Sequence, residues 1–202
     1  MSNWKTLATQ ESLDKTIAAL KDHGITTVVV ENAAEAKEKV FSLVPKGAEV
    51  MTMTSVTLET IGITNEINHS DKYSLARTKL MDPEVDTSEK QKLGAAPDFC
   101  LGSVHAVTED GRVLVASNTG SQLPAYAYGS PHVVWVVGTQ KIVKDVNAAM
   151  KRLEEYTLPL ESERARKAYG VEGSAINKLL IINKEINPSR ITLIFVKENL
   201  GY

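Results

Sequence analysis

Apolar positions along the first third of the chain follow two spacings, which predict alternating helices and strands. They recur every three or four residues over 13–20, and this segment ends at Gly24, where glycine can adopt the left-handed cap of a helix. The β-branched run TTVVVE follows, and then a helical pattern over 32–44 with Asn32 as its N-cap. AEVMTMT predicts a second strand and SVTLETIGI a further helix. This order is typical of parallel strands joined by helical crossovers.

The second half of the chain is richer in strand patterns. VHAVT and RVLVAS, joined by the turn sequence EDG, predict a β-hairpin, and HVVWVVG predicts a strand buried on both faces. An amphipathic helix is expected over 143–153. KLLIIN and ITLIFV predict a closing pair of strands. Residues 64–97 are polar and weakly periodic, so helices and loops are expected there without definite bounds.

The composition is that of an ordinary globular protein and excludes several classes of function. The 202 residues, 43% hydrophobic and 24% charged, are enough for one domain with a core of its own. A formal net charge of -2 creates no field that would attract polyanions, so nucleic acid is not an expected partner. The single cysteine, Cys100, excludes an internal disulfide and an iron–sulfur site built from several thiolates of this chain. Its apolar neighbours favour a buried, unreactive side chain.

The sequence contains no signal for export or for membrane insertion. Its first residues lack the basic flank and apolar core of a secretory signal, and no window approaches the 18 apolar residues of a membrane span. We therefore expect a cytoplasmic protein without a membrane partner.

The segment ASNTGSQLPAYAYG is the first candidate for a ligand site. The preceding strand is expected to end at Ser117, and a short helix to begin near Ser121. Because the N-terminus of a helix has unpaired N–H groups and a favourable dipole, this junction could hold a phosphate or carboxylate. The residues of this anion cradle are Asn118, Thr119, Gly120, Ser121 and Gln122. Spacing alone favours a simpler reading, in which Ser121 caps the helix and Gly120 permits the turn, although ligands do bind at the carboxyl ends of strands in open α/β sheets.

The segment MTSVTLETIG is the second candidate, again at a junction between a strand and a helix. Thr54 and Ser55 supply hydroxyl groups, and Glu59 follows one helical turn later. Glu59 would be a general base or a carboxylate nucleophile if the site removed it from water. Alternatively, Ser55 caps the helix and Glu59 complements its dipole, and the sequence favours this capping role.

Two further side chains are weaker candidates for ligand binding. His105 is expected inside the alternating strand VHAVT, on the same face as Val107, which favours a structural role. Arg166, in PLESERARKAYG, could bind a carboxylate or phosphate through its guanidinium group, although such charged runs are usually solvated helix faces. No histidine has a partner at metal-ligand spacing, so no metal site is proposed.

The ordered text from SVHAVTEDGRVLVASNTGSQLPAYAYG to SAINKLLIINKE resembles the LUD domain of lactate-utilisation proteins, of the lactate-utilisation protein C type. MTSVTLETIG resembles a second fingerprint of that family, and the likeness runs from roughly Val50 to the end of the chain. The resemblance implies a single LUD-type domain over 1–202, with residues 1–48 as a helix–strand–helix segment packed on it. It also implies an α/β fold, a three-layer α/β/α Rossmann-like sandwich with a mostly parallel sheet and an antiparallel hairpin. Ribose-5-phosphate isomerase, glucosamine-6-phosphate deaminase and the CoA transferases share this kind of fold.

The resemblance also implies a function. LUD proteins are linked to a multi-subunit system that oxidises L-lactate to pyruvate, in which a different subunit carries iron–sulfur clusters. The expected partners are therefore a small anionic molecule and iron–sulfur subunits. The anion would be a small carboxylate or a larger anionic cofactor, held between 55–59 and 118–122, and the identity of any cofactor stays open. The glycine-centred loop of the family maps onto 118–121, where TGS replaces the common TGT and keeps the hydroxyl, and its S/T-x-x-x-E fingerprint maps onto Ser55 and Glu59. An exposed sheet edge or the apolar C-terminal strands would allow a homodimer.

Two other classes of function remain open at the level of sequence. One is a free-standing enzyme related to the CoA transferases, the phosphosugar isomerases or the formyltetrahydrofolate ligases, with Glu59 as acid, base or nucleophile. The other is a non-catalytic binding or regulatory module, because a shared fold does not imply a shared function.

Overall fold

The computed structural model describes residues 3–202, which form ten strands and eight α-helices. The strands are β1 (Thr26–Val30), β2 (Glu49–Thr52), β3 (Ser74–Leu75), β4 (Phe99–Gly102), β5 (Ala106–Thr108), β6 (Val113–Ser117), β7 (His132–Gly138), β8 (Ile142–Val143), β9 (Lys178–Ile182) and β10 (Ile191–Val196). The helices are α1 (Gln10–Asp22), α2 (Ala33–Leu43), α3 (Val56–Thr60), α4 (Ile63–Asn68), α5 (Ala76–Met81), α6 (Thr87–Ala95), α7 (Val146–Arg152) and α8 (Leu158–Tyr169). Two π-helical turns, Ala125–Gly129 and Leu153–Thr157, and a 3-10 turn, Thr139–Lys141, also occur.

Six strands form a parallel sheet in the order β1-β10-β7-β4-β2-β3. Alternate side chains of β7 enter different cores: Val133 and Trp135 pack in a core with residues of α1, whereas Val134 and Val136 pack in a core with residues of α2, α3 and α4. Because helices cover both faces, β7 is a continuous apolar run rather than an alternating one. The predicted α/β architecture, a mostly parallel sheet between layers of helices, is therefore confirmed.

The other four strands form a smaller sheet in the order β8-β5-β6-β9. β5 and β6 are antiparallel, as predicted for the hairpin, and β9 is antiparallel to β6. A third core joins this sheet to α7 and contains Leu114, Ala149 and Leu153. The hairpin therefore lies in a sheet of its own, packed beside the large one.

Several helices begin where the sequence supplies a capping side chain. Asn32 accepts the backbone N–H of Glu35 (3.0 Å), which confirms the predicted N-cap of α2. Ser55 caps α3 by accepting the N–H of Leu58 (3.4 Å). Within residues 3–202, no helix has both the length and the apolar character needed to cross a membrane.

Two predictions about the strands are wrong. KLLIIN and ITLIFV do not pair with each other, because β9 pairs with β6 while β10 lies between β1 and β7. An apolar run indicates burial but carries no information about which strand lies beside it. His105 precedes β5 instead of lying within it, and the N–H of Ala116 donates to its ring (3.1 Å) instead of to the backbone.

Candidate functional site

A cleft of about 460 Å³ lies where the large sheet meets the small one. Its lining comes mainly from the segments that follow β2, β4 and β6 and from helix α8. The carboxyl ends of parallel strands meet at one edge of a sheet, and ligands of open α/β sheets bind there. Because β2 and β4 are neighbours, Ser55 and Ser103 reach the same cleft.

Lys141 lines this cleft although the residue is only 1% exposed. It ends the 3-10 turn that directly follows β7, so it lies at the carboxyl end of a central strand of the large sheet. Its Nζ donates hydrogen bonds to Thr57 Oγ1 (3.1 Å), Ser103 Oγ (3.2 Å) and Val104 O (3.1 Å). Two segments that are far apart in the sequence, one with Thr57 and one with Ser103 and Val104, therefore converge on one amine.

The surroundings of the Lys141 amine fit its charged form. The Thr57 hydroxyl donates its own proton to a backbone carbonyl (3.3 Å), and the Ser103 hydroxyl does the same (2.7 Å). Both oxygens therefore accept from Nζ, and with Val104 O they match the three N–H groups of an ammonium ion. Burial nevertheless lowers the pKa of Lys141 well below its ordinary value. No Asp or Glu among residues 3–202 forms an ion pair with Lys141.

Arg152, at the end of α7, is a second buried cation beside the cleft and is 0% exposed. Its Nη1 donates to His105 O (2.6 Å) and Thr157 Oγ1 (3.1 Å), and the Tyr156 ring lies 5.2 Å from its guanidinium carbon. Its Nε and Nη2 have no hydrogen-bond partner in the described part of the chain. Burial lowers the pKa of Arg152 to about 10, which leaves it charged at neutral pH, and this charge lowers the pKa of Lys141 further.

His105 presents a neutral imidazole to the cleft. Its Nδ1 accepts the backbone N–H of Ala116 (3.1 Å), so this nitrogen is unprotonated and the ring proton lies on Nε2. Burial, followed by the charges of Lys141 and Arg152, lowers the pKa of His105 to about 3. Nε2 makes no hydrogen bond with another residue of 3–202, which leaves its N–H free to donate to a ligand.

Glu161, Arg164 and Tyr202 form a hydrogen-bonded wall of the cleft. Arg164 donates Nε and Nη2 to the two carboxylate oxygens of Glu161 (2.8 and 2.7 Å), and the Tyr202 hydroxyl donates to the same carboxylate (2.8 Å). Burial raises the pKa of Glu161, but the hydrogen bonds from Arg164 and Tyr202 outweigh burial and the net shift is downward. Glu161 is therefore ionised at neutral pH, with Arg164 balancing its charge.

The loop after β6 is braced by its own side chains. Ser117 Oγ accepts the backbone N–H of Gly120 (2.8 Å), and Thr119 Oγ1 accepts that of Ser121 (3.3 Å). Two N–H groups of the predicted anion cradle therefore already have partners. The helix expected near Ser121 is a short π-helical turn over Ala125–Gly129, too short for a strong dipole. The loop thus contributes polar side chains to the cleft.

The structure brings most of the predicted ligand residues together. The cleft lining includes Thr54, Ser55, His105, Asn118, Thr119, Ser121 and Gln122. Gly120 belongs to the same loop and has a φ of 88°, where a Cβ atom would also overlap the side chain of Lys178. Glu59 is exposed on α3, and Arg166 is exposed on α8 with its guanidinium bound to Glu172 O (3.0 Å). Neither lines the cleft, so the geometry does not place these two with the others.

The sequence analysis missed Lys141, Arg152, Glu161 and Tyr202. Lys141 had one available signal, because it closely follows the apolar run HVVWVVG, at the carboxyl end of a buried strand. The other three had none, since their positions in the site depend on contacts between distant segments. Among the described residues, no group of three or more His, Cys, Asp or Glu side chains is placed to hold a metal ion.

The fold and the cleft define an α/β protein with a cationic cleft at the carboxyl edge of a parallel sheet. The family model of the LUD domain matches residues 13–196, and the chain belongs to the LUD domain family. The match begins well before Val50 and thus includes α1, β1 and α2 almost entirely.

A solved structure shares this fold. It is the crystal structure, at 1.70 Å resolution, of a DUF162 family protein from Deinococcus radiodurans. The likeness has a TM-score of 0.58 with 14% sequence identity, and it covers 95% of this chain and 99% of the other. At such low identity it concerns the fold alone. No curated protein matches the sequence.

Proposed function

We propose that this protein binds a small anionic ligand in the cleft and acts, in the cytoplasm, as a component of L-lactate utilisation, the oxidation of lactate to pyruvate. Membership of the LUD domain family supports the link to lactate utilisation. The charge of the cleft supports an anionic ligand. The proposed protein partners are iron–sulfur subunits of a lactate-oxidising complex.

The observation that carries this proposal is the buried amine of Lys141, which lines the cleft among three oxygens that fit its charged form and has no carboxylate partner in residues 3–202. Removing a charge from water costs several kcal/mol, and proteins normally offset this cost with an opposite charge. The three oxygens around Nζ satisfy its protons but are all uncharged. An anion in the cleft would supply the missing charge, in surroundings where low polarity strengthens the attraction.

Polar groups on both sides of the cleft would orient such an anion. Thr54 and Ser55 supply hydroxyls from the segment after β2, and the loop over 118–122 supplies amide and hydroxyl groups from the segment after β6. The Nε2–H of His105 adds a neutral donor. Since Glu161 is already bound by Arg164, its carboxylate leaves the attraction of Lys141 for a ligand largely intact.

The test is a binding measurement on the Lys141→Met variant. Methionine keeps a long side chain and removes the charge, so the affinity for L-lactate and pyruvate should fall at least about tenfold. Isothermal titration calorimetry and the ligand-induced rise in melting temperature would measure this loss.

Lys144→Met is the matched control. Lys144 is exposed three residues further along, so its substitution removes the same charge from the chain and should leave binding unchanged. Circular dichroism would check that both variants are folded. If folded Lys141→Met protein bound both acids as tightly as the wild type, the proposed anion site would be wrong.

A further inference from the structure

Two buried cations converge on one peptide segment beside the cleft. Lys141 Nζ donates to Val104 O (3.1 Å), and Arg152 Nη1 donates to the carbonyl of the next residue, His105 (2.6 Å). Lys141 is 1% exposed and Arg152 is 0% exposed. Their charges are therefore focused in one small, poorly solvated region.

No carboxylate balances this pair. Among residues 3–202, neither Lys141 nor Arg152 forms an ion pair. Glu161, which lines the same cleft, is held by two hydrogen bonds from Arg164 (2.8 and 2.7 Å), so its charge is already balanced. The charged forms of Lys141 and Arg152 thus have no counter-charge in the described residues, and two nitrogens of Arg152 have no hydrogen-bond partner there.

The size of this imbalance indicates the charge of the missing ligand. A ligand with one negative charge would balance one cation and leave the other without a counter-charge. A ligand with two would balance both. The charge of Arg152 lowers the pKa of Lys141, and both cations lower that of His105, so the two cations lie near each other. A ligand that balances both therefore needs its two negative charges close together, as they are in a phosphate monoester. Lys141 lines the cleft and would contact the ligand directly. Arg152 is buried behind the lining, so its positive charge would attract the ligand from a distance.

We infer that the group bound beside Lys141 is a compact dianion of the phosphate-monoester type, held by the combined charge of Lys141 and Arg152. This inference rests on the proposed anion site and narrows its ligand class. A phosphate monoester would bind more tightly than lactate itself, which carries a single charge.

Methyl phosphate and methyl sulfate provide a direct test, because they have the same shape and differ by one charge. A phosphate monoester loses its second proton near pH 6, so methyl phosphate is mainly a dianion at pH 7.5 and a monoanion at pH 5. Calorimetry on the wild-type protein at pH 7.5 should show methyl phosphate binding at least about tenfold more tightly than methyl sulfate. The ratio of the two affinities should approach one at pH 5, where both esters carry a single charge. His105 does not disturb this comparison, because its pKa is about 3.

Variants and a second ligand pair make the test specific to Arg152. Arg152→Met should reduce the preference for methyl phosphate, whereas Arg152→Lys, which keeps the charge, should retain it. Succinate, whose two charges are separated, should bind more weakly than methyl phosphate. If Arg152→Met does not fold, the comparison of methyl phosphate with methyl sulfate on the wild-type protein still tests whether the site prefers a dianion.

Each outcome has a distinct meaning. Equal affinity for the two methyl esters at pH 7.5 would overturn the dianion inference but leave the anion site in place. Equal affinity for succinate and methyl phosphate would overturn the compact arrangement of charges. Absence of binding by every anion tested would overturn both this inference and the proposed function.

Discussion

At the scale of single residues, one backbone contact sets the tautomer of His105. The Ala116 N–H can donate to Nδ1 only when that nitrogen carries no proton. Burial and the neighbouring cations hold the pKa of His105 at about 3, so the ring stays neutral in the folded protein throughout the physiological range. In the unfolded chain the same ring titrates near its ordinary pKa of about 6.5.

This difference predicts a pH-dependent stability. Below about pH 6.5 the unfolded chain binds a proton at His105 that the folded protein does not bind, so stability is complete above that pH and falls as pH decreases. Between pH 7 and pH 5 this one group should reduce the free energy of unfolding by about 2 kcal/mol. Urea titrations of wild type and His105→Asn should show the loss in the wild type and a smaller loss in the variant.

His69→Asn is the control for this experiment, since His69 is exposed and lies at the C-terminal end of α4, whereas His105 is beside the cleft. Carboxylates whose pKa values are lowered by groups other than His105, such as Glu109, contribute equally in all three proteins and cancel in the comparison. Identical pH dependence in wild type and His105→Asn would contradict a buried neutral imidazole.

Residue-scale features of the site were only partly accessible from sequence. Ser55 and the loop over 118–122 could be found because they follow strands and carry small polar groups. Lys141 and Arg152 could not be found by type alone, because such residues are almost always exposed. Their importance arises from burial without a counter-charge, which is a property of the assembled fold.

At the scale of elements, the C-terminal segment holds the walls of the cleft together. Leu200 O accepts from Thr57 Oγ1 (3.3 Å) and from Gln140 Nε2 (2.9 Å), and the Tyr202 hydroxyl binds Glu161 (2.8 Å). Thus α3, the 3-10 turn with Lys141 and α8 are all tied to one short stretch of chain.

Gly201 lies in this segment at a φ of 60°, where an added Cβ atom would overlap Thr57 Oγ1. Gly201→Ala should therefore be destabilising through both left-handed strain, about 1–2 kcal/mol, and the overlap. It should also weaken anion binding, because Thr57 helps to position Lys141. Urea unfolding and calorimetry would measure the two effects.

Gly170→Ala separates the two causes. Gly170 has a similar φ of 65°, but a Cβ atom there would have no atom of residues 3–202 within 4 Å, so only the strain applies. Gly201→Ala should therefore lower the free energy of unfolding by more than Gly170→Ala does. Equal losses of unfolding free energy in the two variants, with unchanged anion binding, would show that the contact with Thr57 affects neither stability nor binding.

Elements with a strong period or a clear turn were predictable, and those without one were not. The hairpin β5–β6 followed from alternation on either side of a glycine turn. Helices α4 and α5 have six residues each, in a polar stretch, and leave almost no periodic signal. The partners of β9 and β10 were not predictable, because pairing depends on where distant segments lie.

At the scale of the whole molecule, the protection of the two sheets is unequal. β7 and β10 have neighbours on both sides and helices over both faces. Within residues 3–202, β9 pairs only with β6, and it begins with exposed residues. Native-state hydrogen exchange should therefore be slowest in β7 and β10 and clearly faster in β9. Mass spectrometry of exchanged peptides would measure this order, and equal protection of β9 and β7 would contradict it.

The position of β10 between β1 and β7 has a consequence for synthesis on the ribosome. Among the described strands, β1 pairs with β10 alone. β10 emerges about 160 residues after β1, which at about 5–20 residues per second means a delay of roughly 10–30 s. Throughout that time the nascent β-branched strand TTVVV has no native neighbour. The large sheet thus closes only after β10 has emerged, and a chaperone that shields the early strand would act in this interval.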